Sequence, residues 1–150
     1  MNAPKPGRGS PVIPTFRYHE APAAIEWLCR VLGSKAHFVV PGEEEGIVAH
    51  AQLTLGNGMI MLGSARYDEY YSPVQPPAGP DMPLTQSADL VVSDIDPHYA
   101  RAKAAGALIV VDLAEQDHGG KIYACRDPEG QLWNIGSYDP WGDARGSTGR

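Results

Sequence analysis

The side chains best suited to chemistry lie on stretches whose alternation of apolar and polar residues is typical of half-buried strands. In residues 47–55, His50, Gln52 and Thr54 alternate with alanine and leucine residues. A histidine can act as a general base near pH 7. A lone histidine on a strand more often only hydrogen-bonds a neighbour, so His50 is a candidate for either role.

Three further side chains carry groups that can bind or polarise a small polar ligand: Arg17, Asp89 and Tyr123. The planar guanidinium of Arg17 can hold a carboxylate or a phosphate. The carboxylate of Asp89 could position that guanidinium or take part in acid–base chemistry. The hydroxyl of Tyr123 can donate a hydrogen bond to a ligand oxygen, although its ring could equally form only a wall of the site.

Other polar clusters do not have the spacing of a known type of site. Cys29 lies in a helix-like stretch and Cys125 in a strand-like one, so we expect two buried, reduced thiols. Residues 43–45 are glutamates without the interleaved spacing of calcium loops, which favours a solvated turn. His118 lies in the glycine-containing loop 117–120, which fits either a lid or an ordinary polar loop. Peripheral positions are expected for His19, His37 and His98.

Composition excludes several classes of partner. The net charge is −6 and no basic cluster is longer than a pair, so we do not expect nucleic acid to bind. No apolar run approaches the ~20 residues that a membrane span requires. The first residues contain no apolar segment of the kind found in secretory signals. We therefore expect a cytoplasmic protein without a membrane partner.

Landmark glycines and prolines recur at a nearly constant offset, which indicates an internal repeat. Three pairs are separated by 73, 72 and 75 residues: Gly33 and Gly106, Gly58 and Gly130, and Pro22 and Pro97. Two copies that pack together leave a concave surface between them, and small-molecule sites favour concave surfaces.

Each copy has the order strand, helix, strand, strand, strand. We place the copies at 11–64 and 86–137, joined by a proline- and tyrosine-rich linker at 65–85. Residues 1–10 and 138–150 are expected to be flexible tails.

Local signals predict where the second helix begins and how the last hairpin turns. Asp96 is expected to be the N-cap, with Pro97 in the first helical turn. A four-residue turn over 127–130 should join the last two strands. That turn predicts that Asn134 pairs with Tyr123.

Two segments, 20–33 and 119–133, carry a resemblance to the vicinal oxygen chelate superfamily of glyoxalases, bleomycin-resistance proteins and extradiol dioxygenases. The Asp127-Pro128-Glu129-Gly130 turn is especially typical of that superfamily. The resemblance implies an α+β fold in which tandem βαβββ units form two curled half-barrels around a concave cavity. It also implies that the first strand lies beside the fifth, and that the protein forms a homodimer.

In metal-dependent members of the superfamily, four ligands line the cavity, one each from strands one, four, five and eight. The resemblance places those positions at Ile13, Leu62, Ser87 and Asn134 in this chain. None has an imidazole, thiolate or carboxylate, the groups that transition metals prefer. We therefore expect no metal and no cofactor.

Side-chain alternation then predicts which residues face the cavity. The expected ligand-binding set is Thr15, Arg17, His50, Gln52, Leu62, Asp89, Tyr123 and Asn134. Because strands one and five are expected to be neighbours, Arg17 and Asp89 could form an ion pair that braces the two units. The alternative is that Asp89 positions Arg17 for a ligand.

We expect a protein that binds a small organic molecule in the concave cavity, without metal. One alternative is a lyase, isomerase or dioxygenase of the same superfamily, with His50, Tyr123 or Asp89 as catalytic candidates in an unconventional metal or acid–base set. Another is a protein-interaction module that uses the linker and Trp141.

Overall fold

A computed structural model describes residues 9–70 and 72–142. The outer parts of both predicted tails, 1–8 and 143–150, therefore lie outside the described residues. The first unit contains β1 (Thr15–Tyr18), α1 (Ala21–Leu32), β2 (Lys35–Pro41), β3 (Val48–Leu55) and β4 (Gly58–Ser64). The second unit contains β5 (Ala88–Val91), α2 (Ile95–Ala104), β6 (Leu108–Glu115), β7 (Lys121–Arg126) and β8 (Leu132–Gly136).

Both units build the same four-stranded sheet. The order is β1-β4-β3-β2 in the first and β5-β8-β7-β6 in the second. In each, the strand before the helix pairs in parallel with the last strand, and the other neighbours are antiparallel. The predicted α+β fold of two βαβββ units is confirmed.

Helix α1 begins and ends where the sequence indicates. A proline lies in its first turn, and Gly33 follows its last residue with a φ of 81°, a left-handed conformation that favours glycine. One face of the helix packs into the core through Ala24, Trp27, Leu28 and Val31.

Helix α2 begins earlier than expected. It starts at Ile95, with Asp94 rather than Asp96 at the N-cap position. Ile95 is buried in the core, which extends the helix by two residues toward its N-terminus. Asp96 lies in the first turn and forms an ion pair with Lys121, with 3.0 Å between Nζ and Oδ1.

The two units share one hydrophobic core, which includes Tyr18 and Trp27 from the first and Ile95 and Trp133 from the second. The Phe16 and Trp133 rings extend this contact, with 5.0 Å between centroids. Neither helix of the described chain is long and apolar enough to span a membrane.

The turn between β7 and β8 also joins the units. The Asp127 carboxylate accepts hydrogen bonds from the Tyr18 hydroxyl at 2.6 Å and from Trp133 Nε1 at 3.2 Å. The Glu129 carboxylate accepts hydrogen bonds from the backbone N–H groups of His19 and Glu20, at 2.7 and 2.8 Å. A carboxylate at that place suits the positive end of the α1 dipole.

The same turn is one residue longer than predicted. The Gln131 N–H donates to Asp127 Oδ1 and the Gln131 carbonyl accepts from the Asp127 N–H, so Gln131 belongs to the turn. As a result Asn134 pairs with Ala124 and not with Tyr123. A shift of one residue moves side chains to the opposite face of a sheet, and Tyr123 accordingly lies in the core.

Candidate functional site

A hollow lies where the two units meet, and we call it the seam hollow. Its volume is about 600 Å³. Residues 12–17 lead into and through β1 and form one side, residues 84–88 form another, and the linker closes a third side with Pro73, Val74, Gln75 and Pro77. Both units and the linker are therefore needed to form it.

The walls of the seam hollow are mostly apolar. Val12, Pro14, Phe16 and Leu84 all contribute. Polar groups are interspersed among them: the hydroxyl of Thr15 and the amides of Gln75, Gln86 and Gln131. An apolar lining with a few placed polar groups is typical of small-molecule sites.

Arg17 brings charge to this hollow. It is the one charged residue among the described residues that line it, and only 4% of its surface is exposed. Its Nη1 donates a 3.2 Å hydrogen bond to the Ser64 carbonyl on the neighbouring strand.

Gly63 makes room for this arrangement. A Cβ at that position would collide with the Arg17 guanidinium and would come within 3.0 Å of the Ala49 carbonyl oxygen. The missing side chain lets the guanidinium lie against β4.

A second, smaller hollow of about 320 Å³ lies beside β5 and β8, and we call it the loop hollow. The lining of the loop hollow includes Asp89, Asn134 and Lys121, together with residues 116, 118 and 119 of the loop before β7. The His118 ring stands edge-on to Tyr138, with 4.9 Å between centroids. Asn134 Nδ2 donates a 2.9 Å hydrogen bond to Ser87 Oγ, a residue that lines the seam hollow.

The eight residues expected to form one cavity are distributed over four places. Thr15 and Arg17 line the seam hollow, and Asp89 and Asn134 line the loop hollow. His50 and Gln52 are half-buried on β3, where their side-chain nitrogens lie 3.1 Å apart, and neither hollow includes them. Because Arg17 and Asp89 line different hollows, the structure does not support the expected brace between them.

Leu62 and Tyr123 are buried and line neither hollow, whereas the side-chain alternation placed both at the cavity. Leu62 is 1% exposed and pairs with Phe16 and Ala51 on the core side of the first sheet. Tyr123 is fully buried and its hydroxyl lies 2.7 Å from His98 Nδ1.

The strand pairing also corrects one of the four positions tested for metal ligands. Thr15 pairs with Met61 in the first unit, and Asp89 pairs with Asn134 in the second. The counterpart of Asn134 is therefore Met61 rather than Leu62. A thioether does not supply the imidazole or carboxylate that such sites use. Among the described residues, no group of three or more His, Cys, Asp and Glu side chains could hold a metal ion.

His98 was expected at the periphery and is buried instead, at 7% exposure. Its Nε2 lies 3.1 Å from the Leu32 carbonyl oxygen, and its Nδ1 faces the Tyr123 hydroxyl. The neutral ring satisfies both contacts when Nε2 donates to the carbonyl and Tyr123 donates to Nδ1. Desolvation lowers the pKa of His98, and the charge of Arg101 adds to this while the Leu32 hydrogen bond opposes it. This histidine ties α2 to α1 and β7 and is not part of either hollow.

Comparisons with known proteins agree with this architecture. The model of the Glyoxalase/Bleomycin resistance protein/Dioxygenase superfamily matches residues 14–135. TioX from Micromonospora sp. ML1 is 29% identical, with a TM-score of 0.67 over 85% of this chain and 94% of TioX. No curated protein matches the sequence.

More distant solved structures share the fold alone. The fosfomycin resistance protein FosX from Listeria monocytogenes is 9% identical, with a TM-score of 0.62 over 85% of this chain and 92% of that chain. A glyoxalase I mutant from Zea mays is 15% identical, with a TM-score of 0.61, and the match covers 83% of this chain and 43% of the maize chain.

Proposed function

Because this chain belongs to the glyoxalase/bleomycin resistance protein/dioxygenase superfamily, we propose that it binds a small organic molecule in the seam hollow and needs no metal ion to do so. The observation that carries the proposal is the hollow itself, about 600 Å³ between the two units. That volume lies within the range of small-molecule sites. A protein-interaction module would not need such a space between its halves.

The side chains at the four positions that would hold a metal favour binding without one. They are Ile13, Met61, Ser87 and Asn134, and none supplies a strong ligand for a transition metal. The unconventional set that combines His50 with Asp89 is not gathered in one place, since only Asp89 lines a hollow. These positions favour a binding protein over a metalloenzyme.

We also propose that the protein forms a homodimer. Strands β2 and β6 are the outer strands of their sheets, and both expose apolar side chains. Phe38 is 53% exposed on β2, and Val110 and Val111 are each 50% exposed on β6. Exposed apolar edge strands readily pair with another chain. Light scattering on the eluting protein should give twice the chain mass, and a Val111→Glu variant should elute as a monomer.

A neutral fluorescent probe tests the binding proposal. Prodan is a flat, uncharged naphthalene derivative whose emission shifts to the blue in an apolar site. We expect it to bind the wild-type protein and to raise its melting temperature, because a ligand at 100 times its Kd stabilises a fold by about 2.7 kcal/mol. Thr85→Trp and Thr15→Trp should each block binding, since both threonines line the seam hollow.

Ser93→Trp is the matched control, because Ser93 is exposed and lies outside both hollows. Equal prodan binding by all four proteins would overturn the proposal, as would the absence of binding by the wild type. Elemental analysis of the gently purified protein addresses the metal. One equivalent of iron, manganese, nickel or zinc, lost in a His50→Ala variant, would favour the metalloenzyme instead.

A further inference from the structure

We infer that the loop hollow is a second ligand site, and that it binds a small protonated amine with an apolar body. The inference goes beyond the proposed function and does not depend on it, because that function concerns the seam hollow. Four features of the lining carry it: the carboxylate of Asp89, the amide of Asn134, the ion pair of Lys121 and the apolar wall around them.

The Asp89 carboxylate gives the loop hollow a negative charge. Asp89 is exposed on β5, and its side chain forms no hydrogen bond or ion pair with any residue that the structure describes. Water satisfies such a carboxylate, and a ligand can replace that water if it brings hydrogen-bond donors and an opposite charge. A protonated amine brings both, since its N–H groups donate and it carries a positive charge.

Asn134 adds a second acceptor next to this carboxylate. Asp89 and Asn134 are paired on neighbouring parallel strands, so their side chains lie on the same face of the sheet. Asn134 Nδ2 donates to Ser87 Oγ, which holds the amide in place and leaves its Oδ1 as the atom that can accept from a ligand. Two acceptors side by side suit the several N–H donors of one ammonium group.

The cation in this lining is already compensated. Lys121 Nζ lies 3.0 and 3.3 Å from the two carboxylate oxygens of Asp96, and Asp96 does not line the hollow. The ion pair has no net charge. Among the described lysine, arginine, aspartate and glutamate residues of the lining, Asp89 therefore carries the one charge without a counterpart, and it favours a cation.

The rest of the wall favours a compact apolar body. Val91, Ile122 and Pro140 line the hollow, and the Tyr138 ring, which stands edge-on to His118, adds an aromatic surface. Aromatic rings attract cations as well as apolar groups. The volume of about 320 Å³ is near the lower end of the range for small-molecule sites. A single ring on a short aliphatic amine suits this space.

Three ligands that share one ring and one linking chain test the sign of the charge. Phenethylamine is a cation at pH 7, phenethyl alcohol is neutral, and phenylpropionate is an anion. We would titrate each into the wild-type protein and follow its backbone amide signals by NMR. The amine should shift the signals of Gly119 and Gly136, which line the loop hollow. It should bind at least about threefold more tightly than the alcohol, as expected for an ion pair at a partly exposed position.

Asp89→Asn should remove the preference for the amine, because it keeps the shape of the side chain and loses the charge. Asp81→Asn is the matched control, since Asp81 is an exposed acid outside both hollows, and it should leave the preference intact. Asn134→Ala should weaken amine binding. Ser87→Ala breaks the same hydrogen bond but keeps the Asn134 amide, so it should retain most of the affinity.

Several results would overturn the inference: equal affinity for the amine and the alcohol, tighter binding of phenylpropionate, or an unchanged preference in Asp89→Asn. Signal shifts confined to Thr15 and Thr85 would also overturn it, because those residues line the seam hollow. Prodan binding is measured separately. Failure of the amine therefore leaves the proposed function intact, and absence of prodan binding leaves the loop hollow as a site for the amine.

Discussion

The Tyr18 hydroxyl donates a 2.6 Å hydrogen bond to the Asp127 carboxylate. The two residues belong to different repeats, and both are buried, Tyr18 fully and Asp127 at 4% exposure. The bond therefore joins the first strand of one unit to the last turn of the other. Tyr18 follows Arg17 on β1, so the same contact fixes a strand that lines the seam hollow.

Removal of this hydroxyl should destabilise the protein. Tyr18→Phe leaves the buried carboxylate without one of its donors, a change that typically costs about 1–3 kcal/mol. Urea unfolding followed by tryptophan fluorescence would measure the loss. Tyr67→Phe is the control, because Tyr67 is 72% exposed and its change should stay within about 0.5 kcal/mol. Equal midpoints for the two variants would contradict the role of the bond.

The stability contributed by Asp127 should depend on pH. Burial raises the pKa of Asp127 above its ordinary 3.8, and the hydrogen bonds from Tyr18, Trp133 and the backbone only partly offset this. Between 3.8 and the raised pKa the folded protein binds more protons than the unfolded chain, so the free energy of unfolding decreases as the pH rises through this window. The wild type should lose stability relative to Asp127→Asn over that range, and the difference should become constant at higher pH.

Urea unfolding of the wild type and of Asp127→Asn at pH values from 3.5 to 8 measures the difference between their free energies of unfolding. The other carboxyl groups titrate in both proteins, so their contributions cancel in this difference. A difference that grows in favour of the wild type as the pH rises would show that the hydrogen bonds, rather than burial, control the pKa of Asp127.

His98 should give the opposite pH dependence. Burial lowers the pKa of His98 from 6.5, so between the lowered pKa and 6.5 the unfolded chain binds more protons and stability increases with pH. His98→Gln should cost about 1–3 kcal/mol at pH 8, because it disturbs the hydrogen bonds to Leu32 and Tyr123. That cost should shrink as the pH falls below 6.5. His37→Gln, at an exposed position, should cost little at any pH in urea unfolding.

A pair of substitutions at neighbouring positions tests which face of β4 is packed into the core. Leu62 is 1% exposed in the core, so Leu62→Ala should cost about 2–5 kcal/mol. Met61 is half-buried on the opposite face, and Met61→Ala should cost much less. Thermal unfolding of both variants would decide the matter, since the reverse order would place Leu62 at the cavity as the sequence alone predicts.

Much of the fold follows from local signals in the sequence. The two copies are recognisable because glycines and prolines mark equivalent places, and one of these glycines, Gly33, ends α1. These features depend on backbone preferences of single residues, which act over short distances.

The site was harder to predict because it depends on register. Strand β4 reads Gly-Met-Ile-Met-Leu-Gly-Ser, so apolar residues occupy both faces and alternation cannot tell which face is inside. On β7, the side chains that face the core are determined by Gln131, because this residue joins the turn through two hydrogen bonds to Asp127. The burial of His98 was equally hidden, because its partners lie 25 and 66 residues away in the chain.

The linker wall of the seam hollow has an evolutionary consequence. Four linker residues line the seam hollow and belong to neither sheet: Pro73, Val74, Gln75 and Pro77. Substitutions in this segment can change the shape of the seam hollow without breaking a backbone hydrogen bond of either sheet. Prolines also limit the conformational entropy that this segment would lose on binding the proposed ligand. The ligand preference of the proposed site can thus change during evolution while the two duplicated sheets stay the same.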